Sequence, residues 1–205
     1  YTPQSFAASL DLNLNDYVEL TSYQMYPFYE EVELTIPDNW MHARYYNLPI
    51  DELMEVMNNA LKNGYSVCWD GDVSHNGFSH PSGLAILPTN NPEEIDKWTT
   101  LSAKDRERKM QSFESPVPEM KVDDNKRQFT FNNRQTTDDH LMHITGMLKD
   151  QNGTIYYKTK NSWGEDRNPF GGYLYMSEPF CRLQTVAIMV HKDAIPKAIR
   201  KKLGL

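Results

Sequence analysis

The clearest periodic pattern in the chain follows Pro49. Apolar side chains recur at three- and four-residue intervals between positions 50 and 61, which predicts an amphipathic helix. Two acidic residues fall in its first turn, where they complement the helix dipole, and Gly64 fits the stop after its last turn. The apolar run at 65–69 predicts a buried strand. Because the connection is short, we expect this strand to pack directly against the helix.

Strand-like patterns dominate the last third of the chain. An apolar strand is predicted at 140–148 and a second at 154–160, joined by a turn that contains Asn152-Gly153, a strong hairpin signal. Further strands are predicted at 171–176 and 184–190, before a terminal helix at 194–203. Such a hairpin would bring the start of the first strand and the end of the second to the same end of one sheet.

The rest of the chain is less regular. Thr2 and Pro3 fit the N-cap and first position of a short helix, and weaker patterns predict strands at 17–23 and 32–36. Glycine, proline, asparagine and charged residues dominate from about 74 to 131, which predicts a long irregular excursion on the surface, with a helix start at 90–94 and a charged helix at 104–110. We expect His75 and His80, which fall in this excursion, to be solvated.

Composition limits the classes of function. The 205 residues are 39% hydrophobic, enough for one large domain or parts of two. A net charge of −7 makes nucleic acid a poor partner, and no apolar run approaches the length of a membrane span. Two cysteines do not indicate a disulfide scaffold and leave the compartment open. The sequence opens without methionine, so we expect a processed or truncated chain whose upstream signal could have been lost.

His140 and Asn161 are the candidate catalytic residues. The predicted hairpin brings them to one end of the sheet, and an asparagine oxygen can hold an imidazole in one tautomer. Trp163 follows closely and could shield that hydrogen bond from water. A metal site is not expected, because His143 lies an odd number of residues from His140 on a strand and faces the other way. The residues after Asp70-Gly71-Asp72 do not complete a calcium loop.

These blocks resemble the histidine and asparagine motifs of papain-like cysteine peptidases. The Asn-Ser-Trp-Gly block is the specific one, and the order of the other blocks is similar to that of the bleomycin hydrolase and aminopeptidase C branch. The resemblance implies an α+β, papain-like fold, mainly its β-rich domain that carries the histidine and asparagine. The matching segments are Asp139-His140, Thr145-Gly146, Lys160-Asn161-Ser162-Trp163-Gly164 and Gly171-Gly172-Tyr173, with support from Tyr1-Thr2-Pro3-Gln4-Ser5-Phe6, Pro49-Ile50-Asp51 and Val67-Cys68-Trp69-Asp70.

The resemblance also implies roles and a domain organisation. His140 would be the general base, Asn161 would orient it, and Trp163 would cover their contact. Residues 1–48 would be the end of a helical insertion, and 49–205 the papain-like C-terminal domain with its excursion at about 74–131. No cofactor is implied. The implied partners are a peptide substrate and a homo-oligomer, and the family is typically cytoplasmic, although a lost secretion signal leaves the compartment unknown.

The nucleophilic cysteine is missing at the expected position. In papain-like enzymes the histidine follows the cysteine by about 130–150 residues, and counting back from His140 reaches the start of the chain, where there is no cysteine. Cys68 is a poor substitute, because an acidic and breaker-rich segment follows it instead of a helix start. Cys181 comes after the asparagine block, in the wrong order. We therefore expect an N-terminal part of the same peptidase, absent from this chain, to carry the cysteine.

Three functions stay open at this point. The first is the C-terminal part of a thiol-dependent peptidase that hydrolyses peptide bonds by a Cys-His-Asn mechanism. The second is a catalytically inactive papain-like binding or regulatory module, and the third is another acyl-transfer enzyme such as an amidase. The chain ends soon after its last predicted strand, at Leu205, so the C-terminal arm typical of this branch is expected to be shortened. That leaves both exopeptidase and endopeptidase action open.

Overall fold

A single ten-stranded sheet organises the computed structural model, which describes residues 1–88, 102, 104–105 and 115–205. The strands are β1 (Tyr17–Thr21), β2 (Glu31–Glu33), β3 (Arg44–Asn47), β4 (Val67–Gly71), β5 (Phe78–Ser79), β6 (Leu84–Ala85), β7 (His140–Lys149), β8 (Ile155–Lys160), β9 (Tyr173–Ser177) and β10 (Thr185–His191). Their order across the sheet is β2-β3-β1-β10-β4-β7-β8-β9-β6-β5. The pairs β1–β3 and β6–β9 are parallel, and the other pairs are antiparallel.

Five α-helices accompany the sheet within the described residues. They are α1 (Pro3–Ser9), α2 (Ile50–Lys62), α3 (Asp124–Asn132), α4 (Glu178–Gln184) and α5 (Lys197–Leu203), and two single 3₁₀ turns lie at Leu14–Asp16 and Lys192–Ala194. The architecture is therefore α+β, as the sequence predicted. In the part of the chain described here, no helix has the length and apolar character needed to cross a membrane.

Helix α2 supplies the side chains on which the centre of the sheet packs. Its buried residues recur at the predicted helical spacing, and the helix contacts β4 and β7. Gly64, just past its end, has a φ of +81°, the left-handed conformation that glycine adopts without strain. The Tyr157 hydroxyl of β8 donates a hydrogen bond of 2.9 Å to the Asn58 side chain. Helix α2 thus anchors both strands of the hairpin formed by β7 and β8.

Most predicted elements are observed with small shifts at their ends. Thr2 caps α1 through a capping box with Ser5, and the strands predicted in the last third all form. The first strand ends at Thr21, two residues early, and the second occupies 31–33 instead of 32–36. The terminal helix begins at Lys197, after a 3₁₀ turn. The helices predicted at 90–94 and 104–110 lie outside the described residues, except for two positions of the second.

The segments on the two sides of the predicted boundary at residue 48 share one sheet. Strand β1 pairs with β10 along five residues, so the boundary falls between β3 and α2 without a break in the sheet. The predicted excursion at 74–131 contains β5, β6 and most of α3, three elements that the sequence patterns did not predict. The division into an insertion and a C-terminal domain stays a prediction.

Helix α3 is fixed to the sheet by a buried arginine. Arg127 is 1% exposed and donates hydrogen bonds to the backbone carbonyl oxygens of Ser22, Arg182, Leu183 and Thr185. Its guanidinium carbon lies 5.0 Å from the centre of the Tyr23 ring. The side chain thereby ties α3 to the chain after β1 and to the junction of α4 and β10.

Candidate active site

His140 and Asn161 lie within hydrogen-bond distance at one end of the β7–β8 hairpin. The Nε2 atom of His140 is 2.9 Å from Oδ1 of Asn161, and because an amide oxygen only accepts, the imidazole donates this bond. Asn161 is 2% exposed, and His140 is partly exposed at the first position of β7. The bond leaves Nδ1 of His140 as the ring nitrogen that can exchange a proton with a reactant.

A β-bulge in the hairpin sets the register at this end. Near the turn, Gly146 pairs with Lys158, whereas the next pair towards the site joins Ile144 to Thr159. Thr145 is therefore an extra residue on β7, without a partner of its own in the ladder. The two halves of the hairpin differ in register by one residue as a result.

The bulge is what brings His140 to the same face as Asn161. Continuing the observed register places Asn161 opposite Met142, so His140 is its diagonal neighbour on the same face. If the register next to the turn continued over the same residues, with Thr145 paired to Thr159, Asn161 would lie opposite His143, whose side chain faces the other side of the sheet. A shift of one residue exchanges the two faces of a strand, so a regular hairpin would separate the pair.

The loop after β8 places an indole beside the imidazole. The ring centroids of Trp163 and His140 are 5.0 Å apart, with 43° between the ring planes. Trp163 also meets Phe78 edge to face at 5.9 Å, and 43% of its surface remains exposed. The indole therefore covers part of the imidazole from one side.

His80 is a member of the same cluster, and the prediction that it is solvated was wrong. The residue is 3% exposed, and Nδ2 of Asn161 lies 3.3 Å from its Nδ1. Its ring also meets Trp163 edge to face at 5.2 Å. Burial lowers the pKa of His80, and the positive charges of Arg167 and His140 act in the same direction. The sequence signal in favour of burial was weak, because His80 sits among turn-forming residues.

Asn168 fastens the loop that follows the asparagine. Its Nδ2 donates to the carbonyl oxygens of His80 and Tyr173, at 3.1 Å and 2.7 Å. Its Oδ1 accepts from the backbone N–H groups of Phe170 and Gly172. The two donated bonds join the loop to the segment that carries His80 and to the start of β9, and the two accepted bonds hold the loop itself. The side chains of the site are thus positioned by a cross-linked loop, a contribution that sequence reasoning did not identify.

A cleft of about 700 Å³ opens beside His140. Its lining includes His140, Leu141 and Ser162, together with Trp40 and Met41, two exposed apolar side chains. Five carboxyl groups also line it, and they belong to Glu19, Asp38, Asp70, Asp138 and Asp139. The imidazole thus borders an open space that a thiol and a substrate could enter.

Burial raises the pKa values of two of these carboxyl groups, those of Asp70 and Asp138, so both hold a proton to higher pH than an exposed carboxyl group does. Burial raises the pKa of Asp70 to about 8, and its hydrogen bond to Asp138 together with the charge of that neighbour acts in the same direction. Burial also raises the pKa of Glu19. The wall of the cleft therefore carries less negative charge near neutral pH than its composition indicates.

Neither cysteine of the chain is placed to react with the His140 pair. Cys68 lies opposite His143 on β4, and so faces away from His140. Burial and the charges of Asp70 and Glu19 raise its pKa, which disfavours the thiolate. Cys181 is fully buried in α4, and burial raises its pKa well above the ordinary value. No group of three or more histidine, cysteine or acidic side chains suited to a metal occurs among the described residues.

Comparison with known proteins identifies the relatives of the chain. It is 25% identical over 159 residues to aminopeptidase C of Lactobacillus helveticus, an alignment that covers 78% of this chain and 30% of that protein. The crystal structure of PepW from Lactobacillus rhamnosis matches all of this chain and 42% of its own, with a TM-score of 0.68 and 20% identity. The chain thus spans less than half the length of these relatives.

The fold agrees with the papain-like α+β architecture that the sequence motifs implied. The match to the family extends over residues 1–204, almost the whole chain. On this evidence the chain belongs to the Peptidase C1-like family.

Proposed function

We propose that this chain is the histidine- and asparagine-bearing part of a cysteine peptidase. The observation that carries the proposal is the 2.9 Å bond from His140 Nε2 to Asn161 Oδ1 beside an open cleft. Two features support it: the family of the chain and the free position of Nδ1, towards which a thiol could be directed. Because neither Cys68 nor Cys181 fits the role, the nucleophile belongs to a part of the protein outside residues 1–205.

In this mechanism His140 first removes the proton of that thiol through Nδ1. The thiolate attacks the carbonyl carbon of the peptide bond, and the imidazolium then passes its proton to the leaving amine. His140 next accepts a proton from water as the water attacks the thioester, the acid product leaves the sulfur as a thiolate, and the imidazolium returns its proton to that sulfur, which restores the free thiol. Asn161 accepts the Nε2–H bond throughout, which favours the imidazolium formed in each half of the cycle.

The substrate would be a peptide, held in the cleft next to the imidazole. The rims of the cleft combine apolar side chains with carboxyl groups, so both an apolar segment and a basic one could be accommodated. A comparison of peptides with free and blocked amino termini decides between exopeptidase and endopeptidase action. Equal cleavage of both kinds would exclude strict aminopeptidase action.

The test uses the complete protein and a thiol-reactive epoxide, followed by peptide mapping. We expect one labelled cysteine outside residues 1–205, and loss of labelling together with a fall in kcat/KM of about 10³-fold in His140→Gln. His191→Gln is the control, because His191 lies at the far end of β10 and stacks on Tyr65. Labelling of Cys68, or absence of labelling with intact folding, would contradict the proposal and favour an inactive binding module.

A further inference from the structure

We propose that His80 is a positioning residue, which holds the carboxamide of Asn161 in the orientation that presents its oxygen to His140. The inference rests on the proposed function, since it concerns the orientation of the catalytic base. It concerns a residue that lies 81 positions from Asn161 in sequence and on a different loop.

The orientation of the Asn161 carboxamide follows from its neighbours. The backbone N–H of Ser162 donates to Oδ1 at 2.7 Å, so the oxygen must lie on that side. His140 Nε2 donates to the same oxygen. The Nδ2 group is left to donate on the opposite side, where the nearest acceptor is Nδ1 of His80 at 3.3 Å. Both ends of the amide are therefore held.

The same contact fixes the tautomer of His80. A neutral imidazole has one nitrogen that accepts and one that carries the proton. Because Nδ1 accepts from Asn161, the proton of His80 is on Nε2, which is buried and has no hydrogen-bond partner among the described residues. A buried donor without a partner is unfavourable. The folded protein should therefore be more stable with phenylalanine than with histidine at this position. Only the histidine, however, offers an acceptor for the Asn161 amide.

The surroundings keep His80 in this neutral form. The side chain is almost fully buried against Trp163, and the two positive groups that act on it, Arg167 and His140, oppose its protonation. A protonated ring would carry a proton on Nδ1 as well and would repel the Asn161 amide protons. The carboxamide could then rotate, which would turn its N–H groups towards the Nε2–H of His140.

Two substitutions of His80 distinguish the contribution of its hydrogen-bond acceptor from that of its ring. His80→Phe keeps a planar ring beside Trp163 and removes the acceptor. His80→Asn removes the ring and keeps an acceptor, because Oδ1 of asparagine occupies the same place on the side chain as Nδ1 of histidine. His191→Phe is the matched control, since Nδ1 of His191 also accepts from a backbone N–H, that of Asp193, and its ring also stacks on an aromatic side chain, that of Tyr65.

For the complete protein, we expect His80→Phe to lower kcat about tenfold with little change in KM, because only the geometry of the base is disturbed. The alkaline limb of its pH–rate profile should move to lower pH, since the imidazolium of His140 loses its best acceptor. His80→Asn should recover kcat to within about threefold of the parent. The Tm of His80→Phe should equal or exceed that of the parent.

Unchanged kcat and pH profile in His80→Phe would overturn the inference, as would equal losses in His80→Phe and His80→Asn. A lower Tm with an unshifted profile would indicate a merely structural residue. An NMR measurement on the ¹⁵N-histidine-labelled protein gives an answer without activity, because long-range couplings report which ring nitrogen carries the proton. A proton on Nε2 of His80 at neutral pH supports the inference, and a proton on Nδ1 overturns it. Absence of thiol-dependent hydrolysis in the parent would sink the proposed function instead.

Discussion

Trp163 packs its indole against the imidazole of His140, with 5.0 Å between the ring centroids, while 43% of its own surface stays exposed. Partial cover of this kind limits the access of water to the bond between His140 and Asn161, and a hydrogen bond is stronger where water is excluded. We expect Trp163→Ala to lower kcat/KM about tenfold and Trp163→Phe to lower it less. The measurement is steady-state hydrolysis, with Phe129→Ala as the control for loss of an exposed aromatic ring on α3.

Removing the Asn161 side chain should have a larger effect than removing the indole. Asn161→Ala leaves Nε2 of His140 without its acceptor and frees the ring to rotate, so we expect kcat to fall about 100-fold. The double variant with Trp163→Ala should be only slightly worse than Asn161→Ala, because both side chains act on the same bond. Fully additive losses in the kinetic double-mutant cycle would show that the two residues act independently.

Cys68 is expected to be dispensable for catalysis. Its side chain faces away from His140, and its raised pKa keeps it protonated near neutral pH. Cys68→Ala should therefore retain kcat/KM within about twofold and the same epoxide labelling as the parent. Loss of labelling in this variant would make Cys68 the nucleophile, contrary to the geometry of β4.

Asp70 should make the protein less stable in alkaline solution. Its pKa is about 8 in the folded protein, compared with an ordinary value of 3.8, so between these values the unfolded chain releases a proton that the folded chain keeps. The free energy of unfolding contributed by this group is fully present below about pH 4, falls as the pH rises through this window, and is constant above it. Asp70→Asn does not titrate and avoids this loss.

We expect Asp70→Asn to be more stable than the parent at pH 9 by roughly 2 kcal/mol, or about 4–8 °C in Tm, with little difference at pH 4. Thermal unfolding across this pH range is the measurement. Asp11→Asn removes the same charge from an exposed turn and should leave the pH dependence unchanged. If Tm varied with pH in the same way in the parent and in Asp70→Asn, Asp70 would have an ordinary pKa, contrary to the prediction.

The Arg127 side chain should be among the most important for stability. Among the described residues it has no carboxylate partner, and its charge is compensated by backbone carbonyl oxygens and by the Tyr23 ring. Arg127→Met keeps much of the stem and leaves those carbonyl groups without donors, and we expect it to lower the free energy of unfolding by about 3–5 kcal/mol. Lys126→Met, at the next position on α3, is the control and should cost less than about 1 kcal/mol.

Local patterns were sufficient for the elements with strong periodicity. The apolar repeat of α2, the N-cap at Thr2 and the turn residues between β7 and β8 depend on neighbours in sequence, and all three were predicted. The turn differs in detail, because residues 150–154 form it and the Asp150 carboxylate accepts from the N–H groups of Asn152 and Thr154.

The features that were missed depend on distant parts of the chain. The turn sets one register between β7 and β8, whereas the half of β7 that also pairs with β4 has another, and the bulge at Thr145 absorbs the difference of one residue. His80 is buried because the loop around Asn168 closes over it. Arginine is usually exposed, and Arg127 is buried only because carbonyl groups of α4 and β10 accept hydrogen bonds from it. None of these contacts leaves a periodic trace in the sequence.

The extra residue at Thr145 has a consequence for engineering. Anyone who grafts the imidazole–carboxamide dyad onto a designed hairpin must set the register so that the two groups are diagonal neighbours on one face, since a slip of one residue would aim them in opposite directions. Excising the threonine itself should leave the dyad on one face, because Ile144 would still pair with Thr159 and Gly146 with Lys158.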